Sequence, residues 1–214
     1  MSKKLISILS IFLIFMLNCG TVYGEYDREK AAEYAQKYAK DGNSYFYEFG
    51  ADCTNFVSQA EAVAGIGSYI PSKYPSAPNV FKKYVADSNE NSWYMIFKER
   101  FIGFDYYVYS KSWACVRDFR NYFGKSNIVG SNNRAKVTNY KLYQWDIAKD
   151  MIRIGDVLQY DQNGKAHSII ITKKTASSFK YCAHSSNRYN EDISTFYNYM
   201  RNNNITNFYV ISFK

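Results

Sequence analysis

The strongest constraint on the fold lies near the end of the chain, where Asn163-Gly164 separates "GDVLQYD" from "HSIIITKK". The first run alternates and the second is β-branched, and both patterns favour extended backbone. An Asn-Gly pair between two such runs predicts a β-hairpin, because both residues tolerate the positive φ that a two-residue turn demands. Further on, "TASS" reads as a turn, "FKYCAHSS" as another strand, "EDISTFYNYM" as a short helix and "NITNFYVISF" as a closing strand.

The upstream part has a different period. Residues 27 to 40 read as a helix, with Asp27 as cap, Glu29 in the first turn, and Ala31, Tyr34, Ala35 and Tyr38 at helical spacing. Residues 41 to 51 are a turn and irregular approach to Cys53. From Thr54 the pattern is helical again: Phe56, Val57, Ala60, Val63 and Ala64 make one apolar face, and Gly65 is a stop. Residues 66 to 80 hold all three prolines and read as loop. The aromatic-rich stretch from 79 to 125 reads as helical in patches, on the spacing within "SWYMIFKERF" and "SWACVRDFRNYF", and residues 126 to 140 read as polar loop. Helices followed by an antiparallel hairpin sheet give an α+β layout, with N-terminal helices packed on a C-terminal antiparallel sheet.

Lys3 and Lys4 precede an apolar run from Leu5 to Leu17, followed by "NCGTVYG". A basic start, an apolar stretch and a small-residue exit predict a secretory signal peptide over residues 1 to 24, cut after Gly24, with Val22 and Gly24 at the −3 and −1 positions. The run is short for a membrane span, which needs about 20 apolar residues. Lipid attachment at Cys19 is a competing reading, although "MLNC" lacks a small residue just before the cysteine. The expected mature chain, residues 25 to 214, is one domain without linker, repeat or low-complexity block. Loss of Lys3 and Lys4 lowers the formal charge from +8 to +6. An exported basic domain is attracted to anionic surfaces such as a cell wall, or the charge merely keeps it soluble. Scattered lysines and the export signal argue against nucleic acid.

Three cysteines then remain, Cys53, Cys115 and Cys182. An odd number cannot all pair within one molecule. One bridge between any two of them stays open.

The two histidines, His167 and His184, fall in neighbouring predicted strands. Unbulged pairing about a turn centred between Thr175 and Ala176 sets them opposite each other, on one face of the sheet. Cys53 stands where a helix begins. The helix amino end and an adjacent imidazolium would both lower its thiol pKa, while Asp52 would raise it unless its side chain turns away to cap the helix. A helix-start cysteine facing a strand-borne histidine is the arrangement of a cysteine hydrolase. Other readings of the same residues are a buried structural thiol and a zinc set of Cys53, His167 and His184, with Cys182 as fourth ligand or core. Asn187 is the reserve orienting group. Cys115 reads as the apolar side of a helix. Trp93, Trp113 and Trp145 read as core, or as the lining of a cleft for a glycan or peptide.

"DCTNFVSQA", "GDVLQYD", "HSIIITK" and "AHSSNRYN" resemble the putative amidase domain family of secreted Gram-positive proteins. More broadly, the pattern is similar to papain-like cysteine hydrolases of the CHAP and NlpC type, which cut peptide and amide bonds in bacterial cell walls. The resemblance spans roughly residues 26 to 210. It implies a papain-like fold, Cys53 as nucleophile, His167 as base and His184 as the polar third member, a position often held by His in the NlpC type. It also implies acyl transfer on a peptide or peptidoglycan, without cofactor or metal; the chain is expected to be a monomer. The oxyanion would be held by the Cys53 backbone N–H and a second donor, Asn55 or Tyr47. The aromatic middle, residues 66 to 145, departs from both groups. The competing functions are a peptidase or acyltransferase on other extracellular peptides, and a wall-associated binding module whose thiol does nothing.

Overall fold

A computed structural model describes residues 25–125 and 134–214. The expected signal peptide, residues 1 to 24, and residues 126–133 of the expected loop lie outside them. Helix α1 (Arg28–Tyr38) starts as its sequence predicts, with the Asp27 carboxylate accepting the Lys30 N–H at 3.0 Å. Its small residues Ala31 and Ala35 are fully buried, which lets the helix approach its neighbours closely. Helix α2 (Cys53–Val63) begins one residue before Thr54 and ends ahead of Gly65, whose φ of +103° suits the residue that turns the chain away.

The aromatic middle differs from the helical expectation. It forms a small sheet of β1 (Tyr84–Asp87), β2 (Met95–Lys98) and β3 (Tyr106–Ser110), in the order β1-β3-β2. "SWYMIFKERF" is therefore strand where a helix was expected. Its run over residues 93–97 is apolar at every position and so satisfies the helical and extended periods equally. "SWACVRDFRNYF" does form helix, α3 (Lys111–Ala114) and α4 (Val116–Gly124), broken at Cys115, whose backbone is extended.

Six antiparallel strands make the main sheet: β4 (Ala135–Lys141), β5 (Val157–Gln162), β6 (Lys165–Lys174), β7 (Phe179–Ala183), β8 (Arg188–Asp192) and β9 (Asn207–Phe213), in the order β4-β9-β5-β6-β7-β8. Between them lie α5 (Trp145–Met151) and α6 (Ile193–Asn202). β4 corrects the loop expected through residue 140. It is an edge strand dotted with lysines, a composition that blunts edges and resembles loop. The β5–β6 hairpin forms as predicted, with Asn163 at φ 56° and Gly164 at φ 71°.

Both faces of the sheet are covered. On one, Phe56, Val57 and Ala60 of α2 and Phe119 of α4 meet Ile170, Cys182 and Ile211. On the other, Trp145 of α5 and Phe196 and Met200 of α6 meet Leu158, Ile169 and Tyr181. The continuous run Ile169–Ile171 in β6 feeds both layers, as a strand buried on two sides must. Helices α1–α4 ahead of the antiparallel main sheet, with α5 and α6 set between its strands, make the fold α+β.

Candidate active site

Cys53 opens α2 and is buried. Its sulfur lies 3.8 Å from Thr54 Oγ1 and near the backbone N–H of Ser168, the residue that follows His167, which acts to lower the thiol pKa. Thr54 Oγ1 in turn meets Ser168 Oγ at 2.9 Å, and Gln159 Nε2 donates to the same oxygen at 2.9 Å. Four side chains thus clamp the first turn of α2 onto the start of β6. The thiol pKa is raised, not lowered as the helix start alone predicts. Burial is the largest cause, and the nearby Asp52 charge acts in the same direction.

His167 pairs across the hairpin with Tyr160, and their rings lie 6.1 Å apart. Burial is the first cause, and the Arg188 charge the second, that lowers its pKa to about 4. His167 is therefore an uncharged imidazole at neutral pH. Among the described residues no hydrogen bond joins the Cys53 sulfur to either imidazole.

The expected pairing of His167 with His184 does not occur. The turn falls one residue later than predicted, so Lys174 faces Phe179 and Lys173 faces Lys180. That register alone would have kept both histidines on one face. A bulge between Ile171 and Lys173 then shifts the ladder, and Ile170 faces Cys182. One extra residue reverses the parity of everything beyond it. His184 consequently turns to the α1–α2 side, stacked on Phe56 at 4.1 Å, while His167 stays beside Tyr160, whose ring packs with Phe196 of α6.

His184 is committed elsewhere. Nδ1 lies 2.7 Å from Asp52 Oδ2 and Nε2 lies 2.8 Å from the Tyr38 carbonyl oxygen. A carbonyl only accepts, so Nε2 carries a proton, and pairing with the carboxylate asks for a second on Nδ1. Burial opposes that charge most strongly, but the bonds to Asp52 and Tyr38 outweigh it and the His184 pKa is raised. Asp52 does not cap α2. Its Oδ1 accepts the Phe49 N–H at 2.9 Å and Asn55 Nδ2 at 2.8 Å, and its own N–H donates to Ser185 Oγ at 2.9 Å. His184 therefore holds the residue before Cys53 and does not orient His167.

The reserve groups fall away from the site as well. Asn187 Nδ2 donates to the Lys40 carbonyl at 3.1 Å. Asn55 is saturated: Nδ2 also donates to the Tyr47 carbonyl, and Oδ1 accepts Trp113 Nε1 at 2.8 Å. Tyr47 packs among Phe49, Tyr84 and Tyr107. Trp93, Trp113 and Trp145 are buried core. Cys53, Cys115 and Cys182 are free thiols. Among the described residues no three His, Cys, Asp or Glu side chains converge as a metal site. Asp52 as an ion-pair partner, and Ser168, Gln159 and Ser185 as clamps, were missed by sequence reasoning. One signal was available: each histidine is followed by serine, and both serines reach the segment around Cys53.

A family model described as "Putative amidase domain" matches residues 25–211, most of the chain. No curated protein and no solved structure matches.

Proposed function

The chain belongs to the putative amidase domain family, and from that premise we propose that it is a secreted cysteine hydrolase of papain-like type that cleaves amide bonds in cell-wall peptidoglycan. The observation that carries this reading is the position of the Cys53 sulfur, at the amino end of α2 and against the peptide bond between His167 and Ser168.

Burial disfavours charge on both groups, so the resting pair is thiol and neutral imidazole. As sulfur attacks the amide carbonyl, His167 takes its proton, and the carbonyl electrons move onto oxygen. The Asp52 side chain does not cap α2, and in the proposed step the Cys53 N–H at the amino end of the helix receives this oxyanion. Collapse of the tetrahedral species expels the amine, protonated by His167, and leaves an acyl thioester. Water, deprotonated by His167, then releases the acid and restores the thiol. His184 acts at a distance, by holding Asp52 and through it the loop that precedes the nucleophile.

The test is release of new amine groups from purified peptidoglycan. Wild-type protein is expected to release them, and Cys53→Ala to lose about a thousandfold or more in rate. Binding to the wall without release would instead assign the chain as a binding module, the reading that the raised thiol pKa favours.

A further inference from the structure

The small sheet carries a surface that the proposed chemistry does not use. The connection between β2 and β3 contains Phe101, Ile102 and Phe104, exposed to 102%, 68% and 54%. Phe81, from the segment before β1, is 73% exposed. The Phe104 N–H donates to the Val80 carbonyl at 3.0 Å, and the Phe81 and Phe104 rings meet edge to face at 6.3 Å, so both segments form one tip. Gly103, at φ +97°, makes this approach possible: a Cβ there would stand 2.5 Å from the Val80 carbonyl oxygen. The tip is thus a built shape and not a frayed loop.

Basic residues flank it. Lys82, Lys83, Lys98 and Arg100 lie in the same two segments, together with Glu99 and Asp105. Lys83 Nζ stands 5.8 Å from the centre of the Phe104 ring. Arg100 bonds the Asn79 carbonyl and lies over the Tyr106 ring at 4.2 Å, which fixes its charge at the base of the tip.

Contiguous apolar exposure on this scale marks an interaction site. A convex tip whose outermost ring touches nothing fits a soft apolar phase better than a flat rigid partner. The aliphatic stems of lysine and arginine can lie along such a tip while their charges stay in the polar layer. Hydrocarbon beneath and phosphate above is the profile of an anionic bilayer. A wall polymer offers the charge but no apolar layer for Phe101.

We infer that this tip docks the protein peripherally on an anionic lipid surface, with Phe101 and Ile102 below the headgroups and Lys82, Lys83 and Arg100 among the phosphates. Among the described residues no helix is long and apolar enough to cross a membrane. The inference stands whether or not Cys53 is a nucleophile.

Hydrogen exchange read by mass spectrometry tests it on the full chain, with vesicles of phosphatidylcholine alone or mixed equally with phosphatidylglycerol. The amides of residues 99–106 are expected to exchange about tenfold more slowly on the anionic vesicles only. Reading the tip itself keeps the apolar run at residues 5 to 17 from mimicking the effect. A Phe101→Ser/Ile102→Ser variant should lose that protection, and Lys82→Glu/Lys83→Glu should weaken it. Unchanged exchange at 99–106, or equal protection in the serine variant, would overturn the inference. So would protection of the Phe101 and Ile102 amides already present without vesicles, which would assign the tip to a second copy or to the chain's own apolar run. Equal protection by soluble polyphosphate would also overturn it, by showing that charge alone suffices.

Discussion

At Cys53 and His167 burial pushes both groups toward their uncharged forms, and the pH profile should record it. His167 must be neutral to take the thiol proton, and its pKa is lowered to about 4. Amide cleavage should therefore persist on acidification until near pH 4, where an ordinary histidine would fail near 6.5. An acid limb of kcat/KM close to 6.5 would contradict this. His184 responds in the opposite sense. Its folded pKa is raised, so its contribution to stability is full below the unfolded value and is lost as pH climbs through the folded one. His184→Ala strands Asp52, whose side chain is 5% exposed, and should cost roughly 3–5 kcal/mol in denaturant unfolding below pH 6.5. The deficit should shrink at alkaline pH, and a constant deficit would count against the charged pair. Cys53 and both histidines were legible as the residues to watch. The job of His184 was not, because which groups a strand residue meets depends on register and not on residue type.

Among the elements, turns were easier to read than registers. Asn163-Gly164 announced its hairpin because its chemistry is local. The bulge near Thr172 was silent, because Thr172 fits a regular strand equally well. It is fixed from outside, by Thr172 Oγ1 donating to Asn190 Oδ1 at 2.7 Å. The small aromatic sheet was missed because the unbroken apolar run over residues 93–97 has no period, and β4 because Lys136, Thr138, Asn139 and Lys141 give it the composition of a loop. Gly155 shows how tightly the elements are joined. It has φ +78°, and a Cβ there would stand 2.7 Å from the Tyr26 hydroxyl and 3.2 Å from Arg28 backbone. Arg28 ties this point to the Ile154 carbonyl, Asp156 and the Phe213 carbonyl at the end of β9. Gly155→Ala should therefore destabilise by roughly 1–3 kcal/mol or more, from backbone strain and displacement of α1. Unfolding indistinguishable from wild type would show that this junction gives way freely.

For the whole molecule, buried titratable groups shape the pH range of stability. Glu61 is fully buried in α2, and burial raises its pKa well above that of a free carboxyl. Such a group disfavours the folded state increasingly as pH rises above its unfolded value. The lowered pKa of His167 works against the folded state on the other side, as pH falls below about 6.5 toward 4. Stability should thus be broadest at mildly acidic pH, and Glu61→Gln should raise the melting temperature by several degrees at pH 8, about 2–4 °C for each kcal/mol, and by less at pH 5. Equal shifts at both values would refute that role for Glu61. The central claim concerns a covalent bond, and acid-quenched mass spectrometry of the protein during turnover of peptidoglycan stem peptides tests it most directly. The account predicts a transient acyl adduct on the peptide containing Cys53, absent in Cys53→Ala, which also stops releasing product. Product release at an undiminished rate from Cys53→Ala would contradict it.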